Sequence, residues 1–216
     1  MTTSDSTAVS LPDMLKAETA ERHHIAERHP IQQQLLKGQL SREQFADMLE
    51  QMLVVHRAMR VALTALRNGC PAFAPLLHDD FFQDIRLEQD LRFFDRDPNA
   101  VVALPETQKI AEHIELLGEA EDEALLGWQY VLEGSNNGNM YIARAVGQSL
   151  GLTGHDGLRF LTPHGEMQRP KWQQFRADLA GLQLTDDERG GVLIQACQAF
   201  DAITCMMDGL QRFWDN

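Results

Sequence analysis

The sequence is short of cysteine, of basic residues and of long apolar runs, and each shortage removes a class of protein. Its three cysteines, Cys70, Cys197 and Cys205, are odd in number and form no closely spaced pair. Neither a disulfide framework nor a zinc-type pair is encoded, and a reducing cytoplasm is the expected setting. Nineteen basic against 32 acidic residues leave a formal net charge of −13, the wrong sign for nucleic acid or an anionic membrane as the main partner. No apolar run approaches the roughly 20 residues that cross a bilayer. The opening MTTSDSTAVS lacks the basic and apolar regions of a signal peptide. No alternating segment reads as a strand, nothing repeats, and no Ser/His/Asp arrangement, phosphate loop or dinucleotide fingerprint appears. What remains is 216 residues, 44% of them hydrophobic, enough to bury one core in one domain.

The apolar spacing is helical throughout. Residues 1–10 read as a disordered tail and residues 11–216 as a single all-α domain of about seven or eight helices. Ser10-Leu11-Pro12-Asp13 opens a first helix, expected to run to about Arg28 and to stop at His29-Pro30. Ser41 with Gln44 forms a capping-box signature. It precedes a long helix to about Arg67 on which Phe45, Met48, Met52, Val55, Met59, Ala62 and Leu66 recur every three or four residues. Further helices are expected over 81–94, 105–117 and 170–182. A last long one follows Thr185, and residues 151–169 read as a loop.

One stretch does not suit a plain bundle. Between Tyr130 and Leu152 the apolar spacing continues, yet the centre is Gly134-Ser135-Asn136-Asn137-Gly138-Asn139. Glycine in a helix interior costs about 1 kcal/mol relative to alanine, and Ser and Asn are also poor helix formers. Either a bent helix here brings bare backbone close to something flat, with Gly134 and Gly138 stripping one face over a full turn, or Gly134 caps one helix and a second begins after Asn139. The stretch alone does not decide between them.

Candidate chemistry gathers on the first helix. His23 edges its inward stripe, and Lys16, seven residues earlier, falls on nearly the same side about 10 Å along the axis. An imidazole and a cation so placed suit a metal at one point and an anion at another, although a partly buried structural histidine beside a solvated lysine gives the same pattern. A carboxylate-bridged di-iron bundle needs two Glu-x-x-His motifs, and the chain has one, Glu21-Arg22-His23-His24. The other histidines are scattered singly and read as structural or exposed.

Together these motifs resemble a known family. Leu15-Lys16-x-x-Thr19-x-x-x-His23-x-x-Ala26-Glu27 resembles the proximal-helix motif of the haem oxygenases, and Tyr130-Val131-Leu132-Glu133-Gly134-Ser135-x-x-Gly138 the distal-helix motif of bacterial members. The late segment Trp172…Phe175-Arg176 follows in the expected order. The resemblance implies a haem-oxygenase-like bundle with haem, both substrate and cofactor, held between the first helix and a glycine-kinked distal helix. His23 would ligate the iron, and Lys16 and Arg176 would contact the propionates. Gly134, Ser135, Gly138 and Asn139 would line the catalytic distal side, where close backbone leaves room for dioxygen.

Two positions depart from the family pattern: Ser135 stands where many members have aspartate, and Asn139 where a second glycine is usual. Asn136, Asn137 and Asn139 are expected to add polar groups to the distal pocket. The implied reaction is opening of the haem ring to biliverdin with release of iron and carbon monoxide. Its electrons come from a separate reductase or ferredoxin, since no flavin or iron–sulfur motif is present. A non-degrading haem carrier or sensor of the same fold is the alternative, followed by a helical di-iron oxidase.

Overall fold

The two longest helices begin where the sequence places their caps. In the computed structural model, which describes residues 9–216, α4 (Arg42–Gly69) starts at Ser41, whose Oγ accepts from the Gln44 amide while Gln44 Oε1 accepts from the Ser41 amide. α9 (Asp186–Asp215) starts with the same reciprocal pair between Thr185 and Glu188. Each box satisfies two amides that the first turn leaves unpaired. Nine α-helices and three short 3-10 segments form among the described residues, with no strand. The all-α expectation holds. The expected tail falls mostly on residues 1–8, outside the described residues.

The first expected helix is two, α1 (Leu11–Glu18) and α2 (Ala20–Arg28), interrupted only at Thr19. Thr19 Oγ1 donates to the Leu15 carbonyl at 2.7 Å, and its backbone stays in the right-handed region. Pro30 does not merely stop a helix. It opens a further one, α3 (Pro30–Leu36), because a proline in the first turn loses no hydrogen bond there. His29 caps it, Nδ1 accepting from the Ile31 amide at 3.2 Å. α5 (Asp84–Phe93) starts later than expected, since Asp79–Phe81 takes a 3-10 turn. α6 spans Pro105–Glu119 and α8 Gln168–Gly181.

The glycine-rich stretch does not break. α7 runs from Leu125 to Ser149 through all six residues from Gly134 to Asn139, so the turn reading is excluded. Neither Gly134 nor Gly138 has a positive φ. Local propensity loses here to packing. Leu125, Leu126, Trp128 and Val131 are buried before the stretch and Ile142, Ala143 and Val146 after it, and tertiary burial of both ends outweighs the weak propensity of the middle.

α7 packs so closely on α9 that a Cβ on Gly127 would lie 2.3 Å from the Val192 carbonyl oxygen. The core divides into one cluster built on α1, α4, α6, α7, α8 and α9 and another on α3, α4, α5, α7 and α9, with Met52 and Ile203 packed against both. By length and composition α9 is apolar enough to cross a membrane, which a search for unbroken apolar runs does not register. Here it is a bundle helix, touching α1, α2, α4, α6 and α7. α1 and α7 both pack on α8 and α9, and α2 packs on α9.

Candidate active site

Tyr130, Gly134 and Gly138 are four residues apart, so they share one stripe of α7. What meets that stripe changes along it. The Tyr130 and Trp172 rings are 5.3 Å apart, and Trp172 stacks on Phe175 at 5.7 Å and 14°. A Cβ on Gly134 would approach the Trp172 ring edge to 3.2 Å, whereas a Cβ on Gly138 would meet nothing within 4 Å. The stripe therefore runs from an aromatic wall at Tyr130 to open space at Gly138. Burial pushes the Tyr130 hydroxyl above its usual pKa, against the opposing pull of Arg176.

His23 stands exposed on α2, its imidazole edge-on to Phe200 of α9 at 5.7 Å and its Nδ1 3.6 Å from Glu27 Oε1. At that distance the carboxylate is a loose neighbour of Nδ1 rather than a hydrogen-bond partner, and both ring nitrogens remain open to a ligand. Lys16 is exposed on α1 and makes no ion pair among the described residues. Arg176 is not free: Nη2 donates to Asp13 Oδ1 at 2.8 Å, tying α8 to α1. Two of the expected basic contacts are therefore unequal, one solvated and one already paired.

Ser135 is exposed, and its Oγ donates to the Leu132 carbonyl at 2.7 Å. Asn137 Nδ2 donates to the Gly134 carbonyl at 3.0 Å. Asn139 and Asn136, two of the three asparagines expected to line the distal pocket, turn into the core and away from the glycine stripe. Asn139 lies about 100° around the helix from Gly138. It is buried, with Nδ2 on Asn136 Oδ1 at 3.2 Å, and Asn136 Nδ2 donates in turn to Glu133 Oε2 at 3.1 Å.

Sequence reasoning missed the partner at the end of this chain, His164 Nε2, 3.1 Å from Glu133 Oε1, with both side chains at most 2% exposed. A histidine in a loop 31 residues from the glutamate carries no periodic signal that would reveal the pairing. Asp90 was missed for the same reason. Fully buried, it accepts from the Arg159 and Phe160 amides at 3.1 and 2.8 Å, and burial raises its pKa to about 6. Among the described residues no three His, Cys, Asp or Glu side chains converge as a metal-ligand set, so the di-iron alternative has no donors here.

The family model described as "Heme oxygenase" matches residues 9–208. The chain belongs to the haem oxygenase family. Heme oxygenase 1 of Gallus gallus is 26% identical over 215 residues, covering 96% of this chain and 72% of the relative. Heme oxygenase 1 of Homo sapiens is 26% identical over 202 residues, covering 91% and 70%. Among solved structures, the heme oxygenase of Leptospira interrogans superposes with a TM-score of 0.85 at 24% identity, covering 92% of this chain and 98% of that one. The heme oxygenase-2 of Synechocystis sp. PCC 6803, in complex with heme and NO, gives 0.88 at 19% identity over 95% and 86%. The fold of this haem oxygenase family member is thus that of its relatives across almost its whole length.

Proposed function

We propose that the protein is a haem oxygenase that binds haem between α2 and α7 and opens its ring to biliverdin, with release of iron and carbon monoxide. Gly138 carries the reading. Outside its own turn of helix, no atom of the described residues lies within 4 Å of a Cβ placed there, and its φ is not positive. No packing contact outside its own turn calls for glycine, although alanine would favour the helix by about 1 kcal/mol. Gly181 and Gly190 are as open, and what sets Gly138 apart is its place one turn beyond Gly134 in the distal motif. A flat ligand against bare backbone supplies the missing reason. The surrounding groups fit haem: an exposed imidazole, the Lys16 ammonium with no ion pair among the described residues, and an aromatic wall at one end.

Bound haem supplies the iron that activates dioxygen and the ring that is oxidised. The chain's own residues hold and orient it. His23 would hold the iron through its exposed imidazole, which lies edge-on to Phe200 and 3.6 Å from Glu27 Oε1. Lys16 pairs with one propionate, a charge-assisted contact, while Arg176 reaches a propionate only by exchanging it for Asp13. Tyr130 and Trp172 would exclude water from one end of the cleft, and the glycine stripe would keep side chains away from the ring. Ser135 has a hydroxyl where many members have a carboxylate, and its exposed oxygen is placed to hold a water there.

Electrons come from a separate reductase or ferredoxin, and the setting is the cytoplasm. The test is spectroscopic. Hemin added to the protein should give a Soret band of a histidine-ligated ferric site, and ascorbate or a reductase under air should bleach it with formation of biliverdin. A stable Soret band under those conditions would leave the non-degrading carrier or sensor instead.

A further inference from the structure

α7 carries a polar ladder on the side turned away from its glycines. His164 meets Glu133 Oε1 at 3.1 Å, Glu133 Oε2 accepts from Asn136 at 3.1 Å, and Asn136 Oδ1 accepts from Asn139 at 3.2 Å. The three helix residues are three apart, so the rungs climb nearly two turns within the core. All are buried, the His164 side chain included. Stability alone does not account for such a device. Buried charged and amide groups replaced by apolar residues of similar volume often leave a fold as stable or more so, and asparagine is a poor helix former.

What the ladder adds over leucines is direction. Hydrogen bonds weaken steeply off axis, whereas apolar packing tolerates repacking at conserved volume. The front of the same helix is held by Trp172 against Gly134. An aromatic series joins the two sides: His164 lies edge-on to Phe81 at 5.8 Å, Phe81 to Phe175 at 5.7 Å, and Phe175 stacks on Trp172. α7 is thus gripped behind and in front by connected groups.

We propose that Glu133, His164, Asn136 and Asn139 form a positioning unit that fixes the rotation of α7 about its own axis, and with it the direction in which Gly134 and Gly138 present bare backbone to the haem. This rests on α7 being one wall of the haem cleft. With Cα atoms about 2.3 Å from the axis, a rotation of about 20° carries Gly138 roughly 0.8 Å sideways. A displacement near 1 Å in a reacting geometry costs up to about 100-fold in rate. Which ring carbon is attacked therefore depends on residues that never touch the haem.

The test compares Glu133→Gln and Asn139→Ala with the unaltered protein by hemin affinity, cyanide affinity of the ferric complex, the KM and kcat of turnover, and biliverdin isomer composition. Cyanide reports the open side of the iron without turnover. Expected are hemin affinity within about twofold, cyanide affinity changed by about fivefold or more, a lower kcat at similar KM and a mixture of isomers. Wild-type cyanide affinity with a wild-type isomer pattern in both folded variants would overturn the proposal. So would loss of folding in both, which would assign the ladder to stability. Failure of the unaltered protein to bind hemin would instead sink the cleft reading. The ladder is then judged in the apo-protein by hydrogen exchange of amides 134–142: exchange accelerated only there in Asn139→Ala upholds it, unchanged exchange rejects it.

Discussion

Replacing Gly138 by alanine separates the needs of the helix from those of the ligand. The added methyl enters open space and the backbone is not left-handed, so the apo-protein should gain the full propensity difference, about 1 kcal/mol. For a chain of 216 residues that raises the melting temperature by about 2–4 °C. Against bound haem the same methyl is an overpacked atom, costing about 1–3 kcal/mol, or about 5- to 150-fold in affinity or rate. The variant should melt higher without haem and form biliverdin more slowly with it. Gly134→Ala should gain less in the apo-protein, because its Cβ lies 3.2 Å from the Trp172 ring, which must give way. Circular-dichroism melting of both apo-variants and biliverdin formed per haem are the two measurements. A melting temperature lowered by several degrees in Gly138→Ala would contradict the continuous helix. A raised one with unchanged haem affinity and turnover would remove Gly138 from the haem face.

Three further outcomes are expected. His23→Ala should lose the spectrum of an imidazole-ligated ferric haem, while His24→Ala, about 100° around the helix, keeps it; the reverse result would mean the wrong histidine was assigned. Lys16→Gln should weaken hemin binding by about 1.5–3 kcal/mol. Arg176→Gln should weaken it less, because Asp13 already engages that guanidinium; equal losses in a hemin titration would refute the asymmetry. Burial lowers the pKa of His56 from 6.5 to about 4. The folded protein then binds fewer protons there than the unfolded chain, so stability is fully present above 6.5 and is lost as pH falls towards 4, on the order of 3 kcal/mol. His56→Leu should flatten urea-denaturation stability across that window, and an unchanged acid slope would show that His56 does not drive it.

Much of the bundle was legible because its signals are local. The Ser41–Gln44 and Thr185–Glu188 boxes fix helix starts within four residues of sequence, and apolar stripes fix which faces turn inward. Pro30 misled for an equally local reason: proline ends one helix and begins the next with the same ring, and only the His29 side chain capping the Ile31 amide distinguishes the two. The glycine stretch was not decidable from propensity, because the residues that hold it helical sit at its two ends and across on α9. The site divides the same way. His23, Lys16 and the glycines, the candidate haem contacts, lie in motifs and can be named from sequence alone. The pairing of Glu133 with His164, the capture of Arg176 by Asp13 and the turning of Asn139 into the core depend on contacts between distant segments, which no spacing encodes.

The continuity of α7 also governs how this protein ages. Asn137-Gly138 is the dipeptide at which asparagine deamidates most readily, because an unhindered glycine nitrogen can attack the preceding side-chain carbonyl carbon, expel ammonia and close a succinimide ring that water then opens. Helical backbone holds that nitrogen away from the side chain, and the Asn137 amide is further engaged by the Gly134 carbonyl. Any molecule whose α7 frays loses both protections at once. The resulting aspartate or isoaspartate would place a fixed negative charge beside Gly138, so a transient opening of the helix would leave a permanent chemical record on the face proposed to meet the haem.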